Sequence, residues 1–541
     1  MSRRPGTDTP SAAVLELEQL QLRYPGSDHW TLNGLDLRIN AGEHLALVGP
    51  SGCGKSTVAR AALQLLPAGS LCRGGLRLNG QDPRTLNQGA LRRLRGEAVG
   101  LVFQDPMTRL NPLITVGGHL LDTLQAHQPE QSLAARRERA CSLLERVGIG
   151  ADRFNAYPHE FSGGMRQRLA IALAIALEPP LVIADEPTTS LDVAVAGQVM
   201  AELRQLCDEL GSALLLISHD LAMAHRWCDR MAVLDGGQVV ESASSTAVLT
   251  RPSSVVGQRL VAAARKREGG QTPDVPQAQT LLKVEELRCW HNLGGVPWAP
   301  RWLKAVDGVS FVLQAGESLG VVGGSGCGKS TLCRALMGLS PIRGGQVWLD
   351  GINLLRQRGR KEQRLRQSIQ MVFQDPLACL NPAMKVADAI ADPLLIHGLC
   401  SKAAARERAR ELLELVGLTP AEQFQNRLPR QLSGGQQQRV AIARALALEP
   451  KVLICDESVS MLDAEIQAEV LTLLRSLQTR LGLAMVFVTH DLSVASGFCH
   501  QVIVLDQGRI VEQGPGDQLL THPEASITQL LVEACPRLPA A

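Results

Sequence analysis

Leu47-Val48-Gly49-Pro50-Ser51-Gly52-Cys53-Gly54-Lys55-Ser56-Thr57 decides the fold of this chain. It follows the apolar run Leu45 to Val48 and opens a helical pattern. Glycines at that junction let backbone N–H groups converge on an anion, and a lysine with a following hydroxyl gives the loop a cation and an oxygen ligand. The stretch therefore reads as a phosphate loop, with Lys55 reaching the β and γ phosphates of a nucleotide and Ser56 placing a hydroxyl on Mg²⁺.

Outward from it, the chain repeats itself. Val321-Val322-Gly323-Gly324-Ser325-Gly326-Cys327-Gly328-Lys329-Ser330-Thr331 returns the loop 274 positions later, counted between first glycines. Val102-Phe103-Gln104-Asp105-Pro106 recurs at 372–376, Ser162-Gly163-Gly164 at Ser433-Gly434-Gly435, and His219-Asp220 at His490-Asp491. The chain is a tandem duplication. Residues 266–280 between the copies are rich in Gly, Gln and Pro without periodicity, which predicts a connector spanning at most roughly 50 Å.

Each copy alternates short apolar runs (Leu45 to Val48, Leu181 to Ala184 and Leu214 to Ile217 in the first) with helical patterns. Such runs suit buried parallel strands, so each copy reads as an open α/β sheet with ligands at the C-terminal strand ends. Leu181-Val182-Ile183-Ala184-Asp185-Glu186 and Val452-Leu453-Ile454-Cys455-Asp456-Glu457 end two such strands on paired carboxylates, costly to bury without a cation. The first acid of each pair is expected to hold Mg²⁺, and the second to accept a proton from, or orient, the attacking water. Ser162 and Ser433 precede amphipathic patterns and read as helix N-caps followed by free backbone amides.

The 541 residues exclude a single small domain. A net charge of +2 gives no global field for nucleic acid, and 3% aromatic content leaves few base-stacking platforms. With 45% hydrophobic residues the chain can bury large cores. The 13 cysteines contain no C-x-x-C, so neither a disulfide framework nor a zinc site is indicated and a reducing cytosol is expected. No secretory signal is read at the N-terminus, and the apolar run Leu169 to Leu177 is too short to span a bilayer. The basic stretches Arg136 to Arg139 and Arg356 to Arg366 read as solvated helix faces.

In their order these blocks resemble the ATP-binding cassette family over nearly the whole chain. The resemblance implies two tandem P-loop NTPase domains, each a RecA-like α/β core with a helical subdomain and an antiparallel β subdomain. Domain 1 is expected over 14–265 and domain 2 over 281–533, with a flexible N-terminus at 1–13, a linker at 266–280 and a tail at 534–541. It makes Gly49, Pro50, Ser51, Gly52, Cys53, Gly54, Lys55, Ser56 and Thr57, with Gly323, Gly324, Ser325, Gly326, Cys327, Gly328, Lys329, Ser330 and Thr331, the ATP-binding loops. Ser162, Gly163, Gly164 and Met165, and Ser433, Gly434, Gly435 and Gln436, become the signature, with Met165 departing from the usual Gln. Ser56, Asp185 and Gln104, and Ser330, Asp456 and Gln374, would ligate Mg²⁺, Gln104 and Gln374 also counting among the catalytic residues. Glu186 and Glu457 become the catalytic glutamates, Asp192 and Asp463 the D-loop aspartates, and His219 and His490 the switch histidines.

The family pairs its domains head to tail, so the resemblance implies an intramolecular pseudo-dimer in which each ATP also meets the other copy's signature. An adenine-stacking aromatic is expected at Tyr24, while the second copy offers Trp290 or His291. Cys53 and Cys327 read as small filler residues. The segments Phe103 to Pro112 and Phe373 to Pro382 resemble the cassettes of dipeptide, oligopeptide and nickel importers. His522-Pro523 followed by Leu530-Leu531 resembles that group's tail, without its Pro-Tyr-Thr, and the lone Cys535 predicts no iron–sulfur site.

The resemblance thus implies an ATPase subunit at the cytoplasmic face of the inner membrane. It would drive solute uptake through two transmembrane permeases supplied by an external solute-binding protein, with no direct nucleic-acid contact. The competing reading is a soluble tandem cassette acting on ribosomes or DNA, whose relatives carry a long charged linker or zinc-binding cysteine pairs that this chain lacks.

Overall fold

A computed structural model describes residues 12–106, 109–189, 191–268, 279–296, 299–460 and 462–539. These divide into two compact units that change over near residue 265. Most of the expected connector, 269–278, lies outside the described residues, as do 1–11 of the expected N-terminal segment. The helix Val255–Glu268 carries regular structure three residues into the range expected to lack it, and the strand Thr280–Val296 begins at its last residue.

In the first unit a six-stranded sheet runs in the order Val99–Val102, Leu181–Asp185, Ala213–Ile217, His44–Val48, Arg230–Asp235, Gln238–Ser244. All pairings are parallel except the last. Its central strands carry almost uninterrupted Leu, Ile, Val and Ala because both faces are covered. Ala46, Val48, Val182, Ala184, Leu214 and Leu216 point into one core, with the helices Val116–His127, Leu133–Arg146 and Gly163–Ile175. Leu45, Leu47, Leu181, Ile183, Leu215 and Ile217 point into the other. There they meet the helix Lys55–Ala62 and the antiparallel sheet of Leu32–Asn40, Ala13–Arg23 and Leu71–Leu78. Burying each of these Val, Leu and Ile side chains contributes about 1.5–3 kcal/mol, so period-two alternation locks the register on which the site depends.

The second unit repeats this plan with Ile369–Val372, Val452–Asp456, Ala484–Val488, Ser318–Val322, Gln501–Asp506 and Arg509–Gly514. Its β subdomain has four strands, and the hairpin Thr280–Val296 with Ala299–Gln314 is much longer than its counterpart in the first unit. Each unit therefore has the α/β core, helical subdomain and antiparallel sheet expected from the sequence.

One surface expectation changes. Arg356, Arg358, Arg360, Lys361 and Arg364 are exposed as expected. Arg136, in contrast, is only 9% exposed, and Arg139 donates to the Ala176 carbonyl at 2.9 Å. The helix Leu133–Arg146 packs on both neighbours of the helical subdomain and uses these arginine stems as filling, which charge alternation in sequence does not reveal. Among the described residues no helix is long and apolar enough to cross a membrane.

Candidate functional site

The two phosphate loops occupy the C-terminal ends of the central strands His44–Val48 and Ser318–Val322. Gly54 and Gly328 cap the following helices in the left-handed region, at φ 108° and 112°. A Cβ at Gly328 would lie 2.0 Å from the Ala305 carbonyl oxygen, and one at Gly49 2.2 Å from that of Leu234. Neighbouring backbone thus forces glycine at these positions, and the cradle stays open for an anion. Gly324 has nothing within 4 Å of its notional Cβ, and its counterpart is Pro50.

Lys55 folds over its loop, its Nζ donating to the carbonyls of Gly49 and Pro50 at 2.9 Å each. Lys329 does the same to Gly323 and Gly324 at 2.8 and 3.0 Å. Both lysines are buried and their hydrogen bonds go to loop carbonyls, an arrangement suited to exchange for phosphate oxygens. Cys53 and Cys327 are buried with their thiols pushed up by desolvation, and a Cβ at Gly49 would lie 2.9 Å from Cys53 Sγ. They fill space under the loop.

Ser56 Oγ donates to Asp185 Oδ1 at 2.9 Å, and Ser330 Oγ to Asp456 Oδ1 at 3.3 Å. Burial pushes both carboxyls up, and the adjacent Glu186 and Glu457 add to the effect. A buried carboxyl beside a hydroxyl is a hard-oxygen pair suited to Mg²⁺. Among the described residues no cluster of three or more His, Cys, Asp or Glu could hold a metal. Such an ion would take further ligands that include phosphate oxygens and water, as Mg²⁺ commonly does.

Beyond these strands Glu186 and Glu457 adopt φ 47° and 45°, left-handed values that cost a non-glycine residue about 1–3 kcal/mol. The turn is held by Glu186 N donating to the Ile217 carbonyl at 2.9 Å, and Glu457 N to that of Val488 at 3.0 Å. It carries each side chain to the mouth of the loop. Gln104 Nε2 donates to Glu186 Oε2 at 2.8 Å, and Gln374 Nε2 to Glu457 Oε2 at 2.9 Å. His219 Nδ1 lies 3.3 Å from Glu186 Oε1, whereas His490 Nδ1 is 3.9 Å from Glu457 Oε2.

Burial raises the Glu186 carboxyl, but the hydrogen bond and charge of His219 outweigh it and hold the group below its ordinary value. For Glu457 the neighbouring His490 is the leading cause of the same downward shift. Burial likewise disfavours the His219 cation, and Glu186 more than compensates, leaving the imidazole raised. Ionised glutamates beside imidazoles can accept a proton from water.

Ser162 and Ser433 cap the helices Gly163–Ile175 and Gly434–Leu446, accepting from Met165 N at 3.4 Å and Gln436 N at 3.3 Å. Gln436 returns the bond to Ser433 N at 3.1 Å, which Met165 has no group to do. A Cβ at Gly164 would meet Val195 Cγ1 at 2.4 Å, and one at Gly435 Ile466 Cγ2 at 2.5 Å. Among the described residues neither serine hydrogen-bonds the phosphate loop of its own unit. Asp192 precedes the helix Val193–Leu210, and Asp463 caps Ala464–Leu481 by accepting from Ile466 N at 3.0 Å.

Tyr24 packs beside the first loop, its hydroxyl 3.1 Å from Thr57 Oγ1. Matching left-handed residues, Gln19 at φ 48° and Glu286 at φ 49°, mark one bulge in both copies. Counting from it aligns Tyr24 with His291 and places Trp290 opposite Arg23. Trp290 is instead tied to Asp307 Oδ1 at 3.3 Å under Lys304. Sequence reasoning missed Thr189, whose hydroxyl lies 3.2 Å from Glu186 Oε2; a hydroxyl three residues beyond a strand-ending glutamate was the only available signal.

Comparison with known proteins places this geometry in context. The ABC transporter family matches residues 32–189 and 306–460. A glutathione import ATP-binding protein, GsiA, of Pectobacterium atrosepticum is 38% identical over 98% of this chain and 91% of its own. An oligopeptide transport ATP-binding protein, OppD, of Mycobacterium bovis is 36% identical over 97% and 98% of the two chains. A peptidoglycan transport ATP-binding protein, YejF, of Agrobacterium fabrum is 38% identical over 97% of each.

Proposed function

The chain belongs to the ABC transporter family, and from that premise we propose that it is the ATP-hydrolysing subunit driving uptake of a peptide-like solute through separate membrane permeases. The observation that carries this reading is the complete set of polar groups at both strand ends: Lys55, Ser56, Gln104, Asp185, Glu186 and His219, matched by Lys329, Ser330, Gln374, Asp456, Glu457 and His490. Relatives that cover nearly the whole chain are named for import or transport of glutathione, oligopeptides and peptidoglycan, which supports a solute with peptide bonds.

The loop amides with Lys55 and Lys329 bind the β and γ phosphates of ATP. Ser56 with Asp185 and Gln104, and Ser330 with Asp456 and Gln374, would hold Mg²⁺. The ion would supply charge neutralisation on the phosphates. Glu186 and Glu457 accept the proton of the attacking water, while His219 and His490 orient them. Each signature, at Ser162 to Gly164 and Ser433 to Gln436, serves the ATP of the opposite copy in an intramolecular pseudo-dimer, and Tyr24 flanks adenine. The chain works at the cytoplasmic face of the inner membrane, bound to two permeases that an extracytoplasmic solute-binding protein supplies.

The test is to tag the chain, solubilise native membranes gently and identify copurifying proteins by mass spectrometry. Two polytopic permeases are expected. Recovery of ribosomal or DNA-repair proteins without permeases would overturn the transport reading.

A further inference from the structure

Two hydroxyls at equivalent positions treat their glutamates differently. Thr189 Oγ1 lies 3.2 Å from the Glu186 backbone carbonyl and 3.2 Å from Glu186 Oε2, so it stands between turn and carboxylate. Ser460 Oγ donates to the Glu457 backbone carbonyl at 2.7 Å, and among the described residues it makes no bond to the carboxylate. The intervening residues differ as well, Pro187 and Thr188 against Ser458 and Val459.

The carboxylates are correspondingly held in different ways. Both Glu186 oxygens have partners within hydrogen-bonding range, Oε2 with Gln104 at 2.8 Å and Thr189 at 3.2 Å, and Oε1 with His219 at 3.3 Å. Glu457 keeps one short bond, from Gln374 at 2.9 Å. Its histidine stands off at 3.9 Å, and Oε1 lies 3.9 Å from Nζ of Lys329. A carboxylate fixed at both oxygens cannot swing, whereas one fixed at a single oxygen can rotate toward the neighbouring ammonium.

We propose that Thr189 is a positioning residue for the Glu186 carboxylate, a role Ser460 does not have for Glu457, so that the two ATP sites are hydrolytically inequivalent. The inference rests on the assignment of Glu186 and Glu457 as proton acceptors. Orientation governs proton transfer steeply, since a displacement of about 1 Å at a reacting group can cost on the order of 100-fold in rate.

The test is steady-state ATPase of the full chain with MgATP. Thr189→Val keeps the shape and removes the hydroxyl, and is expected to lower kcat about fivefold with KM unchanged within about twofold. Thr189→Ser restores the hydroxyl and is expected to recover most of the rate. Ser460→Ala removes a hydroxyl that holds only the backbone, so kcat is expected to stay within about twofold. Equal losses in Thr189→Val and Ser460→Ala would assign both hydroxyls to holding the turn and overturn the proposal, as would an unchanged kcat in Thr189→Val. Thermal midpoints of the variants identify any loss that comes from unfolding, and Thr189→Ala then repeats the test with a smaller side chain. Glu186→Gln separates the two claims. Undiminished turnover in it would overturn the role of Glu186 itself, whereas a large loss there beside a silent Thr189→Val overturns only the role of Thr189.

Discussion

Ser56 donates its hydroxyl hydrogen to Asp185 Oδ1 at 2.9 Å across 129 residues of sequence. The strand His44–Val48 leads to the hydroxyl and Leu181–Asp185 ends on the carboxyl, with Ala213–Ile217 lying between them in the sheet. Parallel strands bring their C-terminal ends to one edge, so two residues that must share a cation need no proximity in the chain.

Removing this hydroxyl should weaken metal use more than nucleotide use. Ser56→Ala with Ser330→Ala is expected to raise the Mg²⁺ concentration for half-maximal ATPase about 10- to 100-fold, the usual range for losing a group that holds or orients a metal ligand. A Mg²⁺ titration at saturating ATP measures this, and an unchanged midpoint would remove both serines from the metal site.

Glu186→Gln with Glu457→Gln preserves shape and removes the acceptor. Turnover should fall at least about 100-fold, within the range general base catalysis supplies, while ATP affinity stays within a few-fold. Equilibrium nucleotide binding and phosphate release measure the two halves of this expectation independently.

Glycines of the second loop should differ sharply. Gly328→Ala combines φ 112° with a Cβ 2.0 Å from the Ala305 carbonyl oxygen, so it should cost more than about 2 kcal/mol and lower the thermal midpoint. Gly324→Ala meets nothing within 4 Å and should leave the midpoint nearly unchanged. Calorimetry of both variants decides between local geometry and a general intolerance of the loop.

Mild acid should destabilise both units through one buried histidine in each. His44 is 1% exposed, and burial, then Arg204, hold its imidazole below the ordinary value; burial, then Arg475, do the same for His500. Such a group binds its proton more readily when unfolded, so stability is intact above the unfolded value near 6.5 and drains as pH falls toward the folded value. Thermal midpoints should drop between pH 7.5 and 5.5, and His44→Leu should flatten the drop. A midpoint that is level over this range in the unaltered chain would contradict the assignment.

Much of the candidate site could be read in the sequence because its residues sit in short contiguous blocks whose chemistry is local. Gly49 to Thr57 names a phosphate loop by spacing alone, and Ser162 announces a cap. Thr189 could not be found this way, since its contact with Glu186 depends on a left-handed turn that sequence spacing does not specify. Arg136 was misread because charge alternation does not report where two neighbouring helices close over a stem.

The sequence alone determined the duplication, the open α/β class and the order of polar residues along each copy, since these follow from repetition, hydrophobic period and glycine placement. Tertiary structure decided which oxygen meets which donor. It aligned Tyr24 with His291 through a shared bulge, and it distinguished the doubly held Glu186 from Glu457. Those relationships arise from sheet register and from dihedral angles at strand ends, where a shift of a few tenths of an ångström selects a hydrogen bond and no residue type encodes the choice.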